Sequence, residues 1–208
     1  MTDRLVDLSL RAFSDALASD RPVPGGGSAA AYAGTLGAAL AAMVGRISAK
    51  KNEDAAIAEL VSVVENLRAD FLRLVDDDSA VFTTVSEAMG MPKTTDEEKA
   101  ARRERLQAAL LAASRVPLEV AKTGRRLLDA CERGLETATP ATISDLGVGA
   151  LMAEAAIRGA ALNVMINLAS IRDAGQVKAL SEDLDRTLDG SEEQRKRILD
   201  FVESRIAR

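Results

Sequence analysis

The run PGGGSAAAYAGTLGAALAAMVG, residues 24–45, decides what kind of fold this chain can adopt. Behind Ser28 it is mostly alanine and glycine and carries no charge as far as Gly45. Alanine is the strongest helix former, so the segment reads as a helix from Ser28 to about Ala49. Gly34, Gly37, Ala41 and Gly45 recur at helical spacing and make one face almost flat. A flat face lets another helix pack very close. Gly25, Gly26 and Gly27 leave the preceding loop free in φ and ψ and let a backbone or ligand approach, at an entropic cost an idle linker need not carry. Ser28 is the expected N-cap, and the bare N–H groups there attract carboxylates or other electron-rich groups. A purely structural account, a close-packing helix with a flexible lead-in, covers the same residues.

The rest of the composition points the same way. Hydrophobic residues make up 47% of the 208 positions but aromatics only 2%, so the core is built from Ala, Leu, Val and Ile. That favours helices over a β-sandwich. No linker or composition break divides the chain, and residues 1–208 read as one domain. The lone Cys131 excludes an internal disulfide, and residues 1–20 lack the apolar core of a signal peptide. Both fit a cytoplasmic location. The uncharged stretch 28–45 is too rich in Ala and Gly to enter a membrane comfortably and reads as a buried helix. A net charge of −5 argues against nucleic acid as a partner. There is no GxxxxGK[ST] motif and no strand before the glycines, so no phosphate loop of that kind is expected. Histidine is absent, which excludes His-based triads and most catalytic zinc sites. Acid–base chemistry must then fall to carboxylates, lysine, Tyr32 or Cys131.

Working outward, a first helix is expected from about Asp3 to Ala18 and a very long one from Glu53 to Met89, ended by Gly90 and Pro92. Such a helix spans a dimer or an elongated bundle. Thr95 and Glu98 form a capping box that starts a fourth helix, continuing to Glu132 with a kink at Pro117. Ser144 to Arg172 is a fifth helix, capped by Ser144. Val177–Leu188 and Glu192–Ala207 close an all-α chain, with Ser191 and Gln194 as a capping pair. The fold expected is an elongated, dimeric bundle of long helices.

Four places hold groups that can do chemistry. Asp78 follows Phe71, Leu74 and Val75 and precedes Phe82 and Val85 on the apolar stripe of the third helix, where the pattern asks for an apolar residue. A carboxylate there is costly unless paired or used, and burial raises its pKa towards the range of a general base. Asp76 lies about 200° away around the helix and cannot share that face. Asp145 opens the fifth helix beside Ser144; complementing the helix dipole explains it equally well. Asn163 and Asn167 lie on a seam of small residues, where buried amides need partners across an interface or on a ligand. Lys50, with Arg46 and Lys51, is a solvated basic end or an anchor for an anionic ligand tail.

Six blocks in order carry a resemblance: PVPGGGSAAAYAGTLGAALAAMV (22–44), VDDDSAVF (75–82), MPKTTDEEKAARR (91–103), VPLEVA (116–121), SDLGVGAL (144–151) and NVMINL (163–168). With their spacing they resemble the cyclodeaminase/cyclohydrolase family. That family comprises the C-terminal half of formiminotransferase-cyclodeaminase and the stand-alone methenyltetrahydrofolate cyclohydrolases of bacterial one-carbon metabolism. The resemblance implies an all-helical dimer that needs no metal or other cofactor and takes a tetrahydrofolate derivative as substrate. It puts the family's catalytic aspartate on Asp78, with Ser79 standing where Ala is common. It gives the glycine loop (Gly25, Gly26, Gly27 and Ser28), Asp145, Asn163 and Asn167 a shared ligand, tetrahydrofolate, with Lys50 as a further substrate-binding candidate. Asp76 or Asp145 would then stabilise a cationic substrate or position its pterin. The activity implied is hydrolysis of 5,10-methenyltetrahydrofolate to 10-formyltetrahydrofolate. Formimidoyltetrahydrofolate cyclodeamination is the alternative, and the lack of a formiminotransferase half favours the former. A non-catalytic helical dimer is the third reading.

Overall fold

The computed structural model describes residues 4–207, and every element in it is helical. A 3₁₀ turn, Leu5–Asp7, leads into seven α-helices: α1 (Leu10–Leu17), α2 (Gly26–Ala49), α3 (Ala55–Gly90), α4 (Asp96–Gly134), α5 (Ile143–Leu168), α6 (Ala174–Leu188) and α7 (Ser191–Ile206). The expected first helix is therefore two pieces, and its expected start, Asp3, lies outside the described residues. The break has a local cause. Ser9 accepts the Ala12 N–H at 3.1 Å and so caps a new helix of its own.

Helices α2 to α5 form a four-membered ring in which each packs on the next and α5 returns to α2. Short connections make neighbours antiparallel, as in an up-and-down bundle. α6 and α7 cover the outer side of α4 and α5. The flat face read from the sequence lies at the centre of the ring. A Cβ at Gly34 would collide with the ring of fully buried Phe71, and one at Gly37 would sit 2.8 Å from the Gly149 carbonyl oxygen. At these points α2 approaches α3 and α5 as closely as glycine permits.

At α5 and α7 the expected caps are not formed. α5 begins at Ile143 after Thr142, so Ser144 is inside the helix and caps nothing. α7 follows Gly190, whose φ of 66° suits glycine. There Gln194 reaches across to Asp129 (2.8 Å) and Glu132 (2.6 Å) on α4 and does not close a capping pair with Ser191. The capping box of Thr95 and Glu98 is present.

The ring is uneven in length. At 1.5 Å per residue α3 and α4 are about 54 and 58 Å long, whereas α2 and α5 reach about 36 and 39 Å. The α3–α4 hairpin overhangs where α2 begins and α5 ends. Val85, Ala88, Ala109, Leu110 and Ala113 give this overhang a small core of its own. The step so formed is where the candidate site lies.

Candidate functional site

At the step a pocket opens between the loop before α2, the second half of α3, the middle of α4 and the end of α5. Its inner end holds Gly25, Gly26, Gly27, Asp78 and Asn163; its outer end holds Val85, Met89, Leu110 and Ser170. The inner end is polar and the walls are apolar, the usual make-up of a small-molecule site.

Asp78 reaches the pocket because α3 passes the very start of α2. Gly27 is needed there: a Cβ at that position would fall inside the Asp78 carboxylate. α2 begins at Gly26 with Gly25 as N-cap and no side-chain capping bond, so Ser28 does not cap it. Ser28 is the third residue of α2, fully buried, and donates its hydroxyl to Asp78 Oδ2 at 2.8 Å, with the Val75 carbonyl at 3.1 Å and Ser79 Oγ at 3.3 Å. Ser28 thus stands behind the carboxylate, away from the pocket, and orients it. Burial raises the Asp78 pKa, and the hydrogen bonds from the Ser28 hydroxyl and main-chain N–H, which favour the anion, act against it without cancelling it. The main-chain N–H groups of Gly26 and Gly27, in the first turn, have no acceptor within their helix.

The other acid–base candidates fall away. Cys131 is fully buried, and desolvation pushes its thiol up to about 12. Tyr32 packs its ring against Phe13 at 5.3 Å.

Asn163 and Asn167 lie one turn apart near the end of α5 and both line the pocket. Asn163 donates its Nδ2 to the Gly159 carbonyl of its own helix at 2.8 Å. Asn167 donates its Nδ2 to the Ala113 carbonyl of α4 at 2.8 Å. That carbonyl stands four residues before Pro117, which has no N–H to offer it, and α4 runs on through the proline. The Asn167 amide therefore supplies the bond that Pro117 withholds and ties α4 to α5 at the pocket wall. In both side chains the amide oxygen is left for another donor.

The remaining expected site residues lie elsewhere in the chain. Asp76 points to the N-terminal segment, where it accepts from Leu5 N–H at 2.8 Å and pairs with Arg4 Nε at 3.0 Å. Asp145 is in the first turn of α5, 18 residues or about 27 Å before Asn163. Lys50 is the C-cap of α2, about 36 Å from Gly26. Its neighbour Arg46 pairs with Glu65 at 2.9 Å. The reason is topological: these residues occupy the opposite end or an outer face of the helices that line the pocket. The apolar walls, Val81, Phe82, Met89 and Ile166 among them, were missed as site residues. Only their exposure betrays them, 41% for Phe82 and 71% for Ile166, and exposure is not visible in a sequence.

Comparison with known proteins gives the chain its relatives. The model of the family described as formiminotransferase-cyclodeaminase matches residues 9–186. A methenyltetrahydrofolate cyclohydrolase from Methylorubrum extorquens is 37% identical over 202 residues, covering 95% of this chain and 97% of that protein. A formimidoyltransferase-cyclodeaminase from Gallus gallus is 36% identical; the match takes in 98% of this chain and 38% of that longer protein. Among solved structures, a formiminotetrahydrofolate cyclodeaminase from Thermotoga maritima superposes with a TM-score of 0.84 at 28% identity, covering 95% of this chain and 97% of that one.

Proposed function

The chain belongs to the formiminotransferase-cyclodeaminase family, and we propose that within it the protein is a 5,10-methenyltetrahydrofolate cyclohydrolase. The observation that carries this is a single carboxylate, Asp78, held by buried Ser28 at the polar end of an otherwise apolar pocket. The full-length likeness to the Methylorubrum extorquens cyclohydrolase supports the choice of reaction.

In this reading the methenyl cation lies with its reactive carbon at Asp78. The carboxylate takes a proton from water as the oxygen bonds to that carbon. The acid so formed returns its proton to N5 as the carbon–N5 bond breaks. The hydroxyl proton of the adduct leaves to solvent as the formyl carbonyl forms on N10, and one proton is released overall. The N–H groups of Gly26 and Gly27 hold the oxygen as negative charge gathers on it. The free amide oxygens of Asn163 and Asn167 accept from pterin N–H groups. No metal or other cofactor enters. Asp76 and Asp145 take no part within one chain.

Cyclodeamination of formimidoyltetrahydrofolate is the second reading, favoured by the Thermotoga maritima relative. The two chains match over nearly their whole lengths and that one is named a cyclodeaminase, so length does not separate the two readings. We further read the protein as a cytoplasmic homodimer. Support for the dimer is the outward side of α2 and α5, where Leu36, Met43, Val148, Leu151, Leu162 and Met165 are exposed. Both helices are long and apolar enough to cross a membrane, with 61% and 44% of the relevant windows buried in the chain itself.

The test is the decay of methenyltetrahydrofolate absorbance above the spontaneous rate in a weakly nucleophilic buffer. Acceleration that disappears in Asp78→Asn supports both reaction and base. No acceleration, with ammonia released from formimidoyltetrahydrofolate instead, establishes the second reading. Inactivity on both leaves a non-catalytic helical dimer.

A further inference from the structure

Behind Asp78 the Ser28 hydroxyl has more than one acceptor in reach. Val75, Asp78 and Ser79 stand at i, i+3 and i+4 of α3, on one face of that helix. Ser28 Oγ lies against all three, 2.8 Å from Asp78 Oδ2, 3.1 Å from the Val75 carbonyl oxygen and 3.3 Å from Ser79 Oγ. A hydroxyl has one proton to donate and two lone pairs to accept with. Ser28 is fully buried, so that proton goes to one of these neighbours. A carboxylate is a stronger acceptor than a carbonyl or a hydroxyl, and Asp78 is also the nearest. With the proton on Asp78, Ser28 Oγ can only accept across its contact with Ser79, so Ser79 is the donor there. The Ser79 hydroxyl has no other partner among the described residues. The Val75 carbonyl already receives the Ser79 N–H within α3 and can do without Ser28.

We propose that Ser28 and Ser79 form a hydroxyl relay behind the base, in which Ser79 donates to Ser28, and Ser28 donates to Asp78 as a carboxylate but to the Val75 carbonyl once Asp78 is an acid. This rests on the reading of Asp78 as general base, which requires it to pass from carboxylate to acid and back in each turnover. The relay keeps a donor on the carboxylate and leaves the buried Ser28 hydroxyl paired in either state. Ser79 polarises the Ser28 O–H and strengthens its bond to the anion. It does not line the pocket and acts only through Ser28, as a positioning residue. Among the described residues Asp78 is the one titratable side chain that lines the pocket from α2, α3, α4 or α5. Its neighbours Asp76 and Asp77 pair with Arg4 and Arg73.

The experiment follows the Asp78 titration in the full chain by carbon-13 NMR of the aspartate carboxyls, with the Asp78 signal identified by its loss in Asp78→Asn. The acid limb of kcat/KM reads the same titration in turnover. Loss of a donor to the anion raises the pKa. We expect Ser28→Ala to move the titration up by about one to two pH units, and Ser79→Ala to move it up by about half a unit. Because Ser79 acts through Ser28, Ser28→Ala/Ser79→Ala should titrate with Ser28→Ala alone. The Val75 carbonyl signal should follow the Asp78 titration in the parent and follow it far less in Ser28→Ala. An unmoved titration in Ser79→Ala, a Ser79 effect that persists in the Ser28→Ala background, or a Val75 signal that ignores the titration overturns the proposal. If Ser28→Ala does not fold, Ser79→Ala and the Val75 signal of the parent decide. If methenyltetrahydrofolate is not turned over, the NMR titrations still decide, so failure of the relay and failure of the cyclohydrolase reading are told apart.

Discussion

At the scale of single residues, the fold keeps Asp78 in a state it would not choose. Its raised pKa means that the folded protein favours the protonated acid. The corresponding stability is fully present below the ordinary aspartate range and is lost as pH rises through the raised folded value. At neutral pH the ionised carboxylate is a net cost, so Asp78→Asn should lower kcat by about 10²- to 10⁴-fold while the protein melts no lower than the parent. A variant that keeps activity would remove Asp78 from the mechanism, and one that unfolds would make it structural. The acid limb of the kcat/KM profile should lie above the range of an exposed aspartate. Gly27→Ala tests position without touching charge. The new methyl must displace the carboxylate, and a drop of about a hundredfold in kcat/KM with the helical circular dichroism spectrum retained is the expected result.

Between elements, the α4–α5 seam depends on a missing hydrogen and its replacement. Pro117 was legible as an irregularity in a long helix, but nothing in the sequence pairs it with Asn167, 50 positions on. The bond to Ala113 makes a double-mutant prediction. Asn167→Ala should cost about 1–3 kcal/mol in urea unfolding, since it leaves a carbonyl at the pocket wall without a donor. With Pro117→Ala in place the helix regains its own N–H, and the same substitution should cost clearly less. Equal losses in both backgrounds would show that the two residues act independently.

At the scale of the whole molecule, the outward sides of α2 and α5 present their exposed leucines and methionines together. A stable dimer needs a contiguous apolar patch of this kind. We expect twice the chain mass in light scattering, and the chain mass alone for Leu36→Glu/Leu151→Glu, two positions outside the pocket lining. A parent that runs at single-chain mass would refute the homodimer. The all-helical architecture is legible in the sequence because it follows from local chemistry: alanine-rich periodicity, glycine–proline stops and the Thr95–Glu98 box act over a few residues. Asp78 is legible for the same reason, as a charge on an apolar stripe. Which ends of the helices meet is not. Asp145 and Lys50 sit on helices that reach the pocket but at the ends away from it, and Ser28 orients the carboxylate from behind. Lys93, Lys99, Arg102, Arg103 and Arg172 come together from the α3–α4 connection, α4 and the segment after α5. Those placements depend on helix lengths and on the packing of α2 to α5 into a ring. Contacts between residues far apart in the chain set both, and only the tertiary structure contains them.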